Sequence, residues 1–210
     1  MNELVPFLVQ AGVISLSGVM APGPVTATAL QAGTRRAHAG ALMGLGHGVV
    51  EFPLMAAIML GAGAMLQSSG FRLGVGIAGG IALLGMAALM FRGLRAAGLQ
   101  EEAAPPNQAR PVIAGIVLSA GNPYFLIWWA TVGLTLATRA MELGVLAFGL
   151  FAIIHWLCDV AWLEVLSVSS FHGTTLLGRR AQVAVTAICA ATMAGFGAWY
   201  LIDAISRASG

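Results

Sequence analysis

The sequence predicts an all-α integral membrane protein: six transmembrane helices arranged as two inverted three-helix repeats, with spans 1 and 4 broken at proline. Three observations carry this. Of the 210 residues 59% are hydrophobic and only 9% charged, with a mean hydropathy of +0.89, against roughly 25% charged residues in a soluble domain. Apolar runs long enough for a ~30 Å hydrocarbon core recur from end to end. Finally, each half contains a span interrupted at proline, followed by a span with a histidine four residues before an acid.

Taken in order, the first span is expected at about Leu4–Leu30, broken by Pro22-Gly23-Pro24 because proline offers no N–H and its ring clashes with the preceding turn. The second runs about Ala39–Leu66 and the third about Leu73–Leu94. A polar connector, residues 96–110, contains Glu101, Glu102, Pro105 and Pro106. It separates repeat one (about 1–95) from repeat two (about 111–210). Span four, about Val112–Ala137, breaks at Asn122-Pro123; span five, about Leu143–Val168, carries His155, Asp159 and Glu164; span six is about Ala181–Ile205. Some of these exceed the minimum crossing length, which predicts tilt or breakage. No stretch is left for a soluble domain, so residues 1–210 form one transmembrane domain. Met1-Asn2-Glu3 lacks the positive start of a signal peptide, so the first span is expected in the mature protein.

All ten basic residues are arginine. Seven lie in loops 1–2, 3–4 and 5–6, and three (Arg72, Arg139 and Arg207) lie on the opposite side. The positive-inside rule therefore puts both termini outside the cytoplasm. No basic face is interleaved with aromatics, which argues against nucleic acid as a partner. Cys158 and Cys189 fall inside apolar segments and read as buried thiols rather than a disulfide framework.

The functional reading centres on Gly40–Pro53, GALMGLGHGVVEFP. Helical geometry stacks His47 and Glu51 on one face, about 40° apart around the axis. Pro53 denies a hydrogen bond to the carbonyl of Val49 nearby. The second half repeats the spacing with His155 and Asp159. With three spans per half, the second half must enter the membrane upside down, about a pseudo-two-fold axis in the membrane plane. That axis brings both His/acid pairs together near mid-membrane, one pair expected to serve each gate. Ionisable groups at that depth are expensive, several kcal/mol gross, and mark function.

A lone proline is often a mere kink, but Pro-Gly-Pro frees the carbonyls of Gly18 and Met20 close together, and the break recurs in the partner span. Pro22–Val25 and Gly121–Tyr124 are accordingly expected to be non-helical and to border one cavity. Glu164, about 100° from Asp159, is expected at a gate or helix interface. Gly40/Gly44/Gly48 and Gly76/Gly80 read as close helix packing within the chain. Trp199-Tyr200 reads as an interfacial belt, and Trp128-Trp129 as lining or filling the cavity.

At Pro22-Gly23-Pro24, Gly33…Arg35-Arg36…Gly40…Gly44-Leu45-Gly46 and Asn122-Pro123, the chain resembles the LysE/RhtB family of bacterial amino-acid exporters over essentially its whole length. The resemblance implies a secondary transporter of the inner membrane, not an enzyme, that uses the proton-motive force to export amino acids or related small solutes and needs no cofactor. Val25 stands where many members have Asn, and Tyr124 where many have Lys. The His47/Glu51 pair is not part of the likeness and is read on its own chemistry. A helix N-terminus after Pro24 suits a substrate carboxylate, whereas Glu51, Asp159 and the freed carbonyls suit an ammonium.

The substrate/proton site is thus expected to comprise His47, Glu51, His155, Asp159, Pro22, Gly23, Pro24, Asn122 and Pro123, with Glu164, Tyr124 and Trp128 secondary. The expected partners are a small solute and the lipid bilayer; nothing in the sequence establishes a homo-oligomer. Two alternatives use the same side chains. His47, Glu51, His155 and Asp159 fit a divalent cation in a metal exporter. An intramembrane metal-dependent hydrolase would need an open coordination position for water; no further Ser, Tyr or acid clusters in sequence with the pairs to assist it.

Overall fold

A computed structural model describes residues 3–21, 23–62, 65, 68–99 and 110–208. The elements are α1 (Leu4–Val19), α2 (Pro24–Gly33), α3 (Ala39–Ala57), a π turn (Ile58–Ala62) and α4 (Ser69–Leu99). These are followed by α5 (Pro111–Ala120), α6 (Pro123–Trp128), a π turn (Trp129–Gly133), α7 (Leu134–Glu142), α8 (Val145–Leu177) and α9 (Arg179–Ala208). No strand occurs among the described residues. Four helices, α3, α4, α8 and α9, are long and apolar enough to cross a membrane. The bent pairs, α1 with α2 at 77° and Pro111–Ala120 with Tyr124–Glu142 at 57°, complete six spans. Pro22 and the polar connector with Glu101, Glu102, Pro105 and Pro106 lie outside the described residues.

The breaks are shorter than the sequence reading expects. Pro24 and Pro123 are each the first residue of a new helix, so Val25 and Tyr124 are already helical. The reason is local: proline's missing N–H costs nothing in the first turn, and its fixed φ suits a helix start. Gly23 at φ −166° and Asn122 at φ −96°, ψ 104° are the extended joints. Past Pro53, α3 runs on to Ala57 and loosens into a π turn in which Gly61 takes φ +97°, a value readily open only to glycine. Spans five and six are longer than expected, 33 and 30 residues.

The inverted arrangement is visible in how like helices meet. A side chain on Gly40, Gly44 or Gly48 of α3 would strike Leu163, Val160 or Trp156 of α8, respectively. Rising numbers on one helix meet falling numbers on the other, so these second spans cross antiparallel. The third spans do the same, Gly76 meeting Ala204 and Gly80 meeting Leu201. A two-fold along the membrane normal would have made both pairs parallel. The glycine strings thus serve packing within the chain, letting backbones approach where lipid supplies no hydrophobic drive. First spans pack on the opposite half's second span: α1 lies on α8 and α5 on α3. There Gly46 abuts Val112, and Gly115 abuts Met43.

Two apolar clusters flank the crossing. One joins Phe7, Met55, Phe125, Trp129 and Phe151; the other joins Met43, Leu83, Leu163, Met193 and Tyr200. Large apolar side chains such as Val9, Val49, Ile81, Leu146 and Ile202 point outward, as a lipid-facing surface requires.

Candidate functional site

Where α3 crosses α8, the i, i+4 pair of each helix faces the other. His47 Nε2 lies 3.2 Å from Glu51 Oε1 and 3.7 Å from Asp159 Oδ1. His155 Nε2 lies 3.1 Å from Glu51 Oε1 and 3.6 Å from Asp159 Oδ2. The four side chains therefore form one closed ring that alternates base and acid. This corrects the expectation of a separate pair for each gate: antiparallel crossing places residue 47 opposite 159 and 51 opposite 155, so each acid serves both histidines.

The ring is dry on one side and open on the other. Glu51 is fully buried, and His47 and His155 are nearly so; the Asp159 side chain keeps 14% exposure. Trp129, itself without exposure, donates its indole N–H to Glu51 Oε1 at 3.3 Å. Glu51 Oε2 and Asp159 Oδ2 are buried and make no hydrogen bond among the described residues.

Each histidine is held from behind by a serine of the opposite half's first span. Ser119 Oγ of α5 lies 2.6 Å from His47 Nδ1, and Ser15 Oγ of α1 lies 2.7 Å from His155 Nδ1. The Ser119 hydroxyl has one hydrogen and gives it to the carbonyl of Gly115, at 2.6 Å. It must therefore accept from His47, which fixes the proton on Nδ1. His47 Nε2 is left facing two carboxylate oxygens. Its 3.2 Å approach to Glu51 is attractive only with a proton between them, as a second proton on the ring or one on the acid.

The ring opens into a cavity whose empty space, with the open solvent at its mouth, is about 760 Å³. Its wall includes Gly23, Pro24 and Val25 from one break and Asn122 and Tyr124 from the other, with His47, His155 and Asp159 at its floor. Both breaks thus border one cavity. Asn122 caps α6 by accepting from the Tyr124 N–H at 3.1 Å, and it also accepts from the Tyr200 hydroxyl at 3.2 Å. The Tyr124 hydroxyl reaches the carbonyl of Gly18 at 3.5 Å; the break does not leave that carbonyl free, since it also accepts from the Ala21 N–H at 3.2 Å. Trp128 lies nearly parallel to the His155 ring, 4.7 Å between centroids, and occupies space that a side chain on Gly18 would need.

One expected residue stands elsewhere, and Glu164 takes the helix-interface place that was one of the two expected for it. Tyr200 is not in an interfacial belt: it is 4% exposed and turned into the cavity, while its neighbour Trp199 faces outward at 56%. Consecutive helical residues point about 100° apart, so one aromatic pair cannot serve one surface. Glu164 is away from the cavity and tied to the start of α3. It pairs with His38 and accepts from the Ala41 N–H at 2.9 Å, while Ser167 accepts from the Gly40 N–H at 2.9 Å. A carboxylate there satisfies orphan amides and meets the positive helix end.

Ser15, Ser119 and Tyr200 were not legible as site residues. Serines are common in membrane helices, and only their position opposite a histidine of the other half distinguishes these two.

A family model described as LysE type translocator matches residues 16–204. No curated protein and no solved structure matches the chain.

Proposed function

We propose that this chain, which belongs to the LysE type translocator family, exports amino acids or related small solutes across a bacterial-type inner membrane in exchange for protons. Membership of a translocator family supports a membrane transporter rather than an enzyme. The observation that carries the proton reading is the ring of His47, Glu51, His155 and Asp159, built from both halves at the floor of the cavity.

With Nδ1 of His47 committed to Ser119, the two edges of the ring that His47 makes hold together only while a proton lies in them. Loss of that proton turns the Nε2 lone pair toward carboxylate oxygens 3.2 and 3.7 Å away, which repel it. Proton occupancy thereby sets whether α3 and α8 are drawn together at their crossing. Opening to one side wets the ring and closing dries it, giving the difference in proton affinity that coupling requires. Substrate binds in the same cavity. Its carboxylate meets the N-terminus of α2 behind Gly23 and Pro24, and its ammonium faces Asp159. The arginine distribution orients the termini to the non-cytoplasmic side.

The test is efflux from proteoliposomes loaded with single radiolabelled amino acids, with and without an imposed pH gradient. Gradient-dependent efflux of at least one amino acid is expected. Efflux of every tested solute unaffected by the gradient would overturn the coupling.

A further inference from the structure

The side chains of this crossing can also hold a ligand other than a proton. We propose that His47, Glu51 and Asp159 form a binding site for a divalent transition cation of the zinc class, with an open coordination position facing the cavity.

One donor atom from each of these three residues lies within 4.8 Å of the other two. Donors of a tetrahedral site with ~2.0–2.2 Å bonds are roughly 3.3–3.6 Å apart, so side-chain movements of about an ångström bring all three onto one ion. A nitrogen with two carboxylates suits zinc, cobalt or manganese.

Independent of that spacing, His47 is prepared as a ligand. Its Nδ1–H is donated to Ser119, whose own hydrogen is spent on Gly115. The inward Nε2 is thereby left as the donor nitrogen, the arrangement that orients metal-binding histidines. Glu51 Oε2 and Asp159 Oδ2, buried without a hydrogen-bond partner among the described residues, are the acceptors such an ion would satisfy. His155, bonded to Glu51 Oε1 at 3.1 Å, and Trp129 hold that carboxylate in place. His47 and Asp159 line the cavity whereas Glu51 does not. The ion's unfilled side therefore faces the solute path.

The test uses the full chain purified in detergent, stripped with chelator and dialysed against zinc chloride alone; cobalt chloride serves as a spectroscopic probe. One zinc per chain is expected, together with the intense visible bands of four- or five-coordinate cobalt. Asp159→Asn should bind roughly 10- to 100-fold more weakly or worse, and Ser119→Ala, which leaves all three ligands in place, should weaken binding by roughly 10- to 100-fold. His172→Gln, at an exposed position, should leave binding unchanged.

Gel filtration identifies any variant that fails to fold, in which case Ser119→Ala decides alone. Substoichiometric zinc, octahedral-type cobalt bands, or binding unaltered in Asp159→Asn and Ser119→Ala would overturn the site. Gradient-driven efflux measured in chelator-treated liposomes is a separate reading, so loss of proton coupling with zinc binding retained overturns only the export mechanism.

Discussion

Glu51 lies 3.1 Å from His155 of the other half and 3.2 Å from His47 on its own helix, so its carboxylate belongs equally to both repeats. Glu51 Oε1 faces three nitrogens, those of the two histidines and of the Trp129 indole. Glu51→Gln keeps the size and removes the charge. Efflux from proteoliposomes should then lose its response to a pH gradient, leaving only gradient-independent movement. Asp159→Asn, at the wetter and looser edge of the ring, should show a milder version. Parental gradient response in both variants would make the ring structural.

Removing the hydroxyl behind either histidine strands a buried ring nitrogen. Ser119→Ala and Ser15→Ala should each destabilise by about 1–3 kcal/mol, read as a lowered thermal-aggregation midpoint in detergent. Serine elsewhere supplies the contrast: Ser17, exposed and with its hydroxyl on the Ile14 carbonyl one turn back, should tolerate alanine within about 0.5 kcal/mol.

A methyl on Gly40 would overlap the Leu163 backbone. Gly40→Ala should therefore cost at least the 1–3 kcal/mol typical of overpacking, reducing the monodisperse yield. Gly149 in α8 has no neighbour that a Cβ would meet. Gly149→Ala should be neutral or stabilising by up to about 1 kcal/mol.

Gly18→Ala should displace the Trp128 indole, which lies 2.5 Å from the position of the added carbon, and with it the stacking on His155. Transport should fall without loss of folding, and Trp128→Phe in the same chain should restore part of it. Independent, additive effects of the two substitutions would show that Trp128 and Gly18 do not act as a unit.

Glu164→Gln removes a charge from the start of α3. It should lower stability by about 0.5–2 kcal/mol, as lost helix caps do, and leave the gradient response intact. Altered gradient dependence would move Glu164 into the transport cycle.

The spans, their breaks and the four ring residues were legible because membrane depth makes every proline and every ionisable group conspicuous against an apolar background. The inversion was legible from parity alone, three spans per half. What escaped was the partnership across the crossing. Sequence spacing joins His47 to Glu51 and His155 to Asp159, but which acid meets which base also depends on where two antiparallel helices touch, and that is set by Gly40, Gly44 and Gly48. Ser15 and Ser119 escaped for the same reason, since each is more than 70 residues from the histidine it holds. Tyr200 was misplaced because an aromatic near a helix end suits both a headgroup belt and a buried hydroxyl, and only the nearby Asn122 decides.

The antiparallel crossing of α3 and α8 also bears on ancestry. A single helix carrying histidine four residues before an acid, crossing an inverted copy of itself at that point, places each histidine against the copy's acid. An unduplicated half inserted in both orientations, and meeting itself as a homodimer, would already close the same alternating ring. Fusion into one chain then needs no new ring residues; it fixes the stoichiometry at one of each orientation and frees the two copies to diverge, as aspartate at 159 has from glutamate at 51.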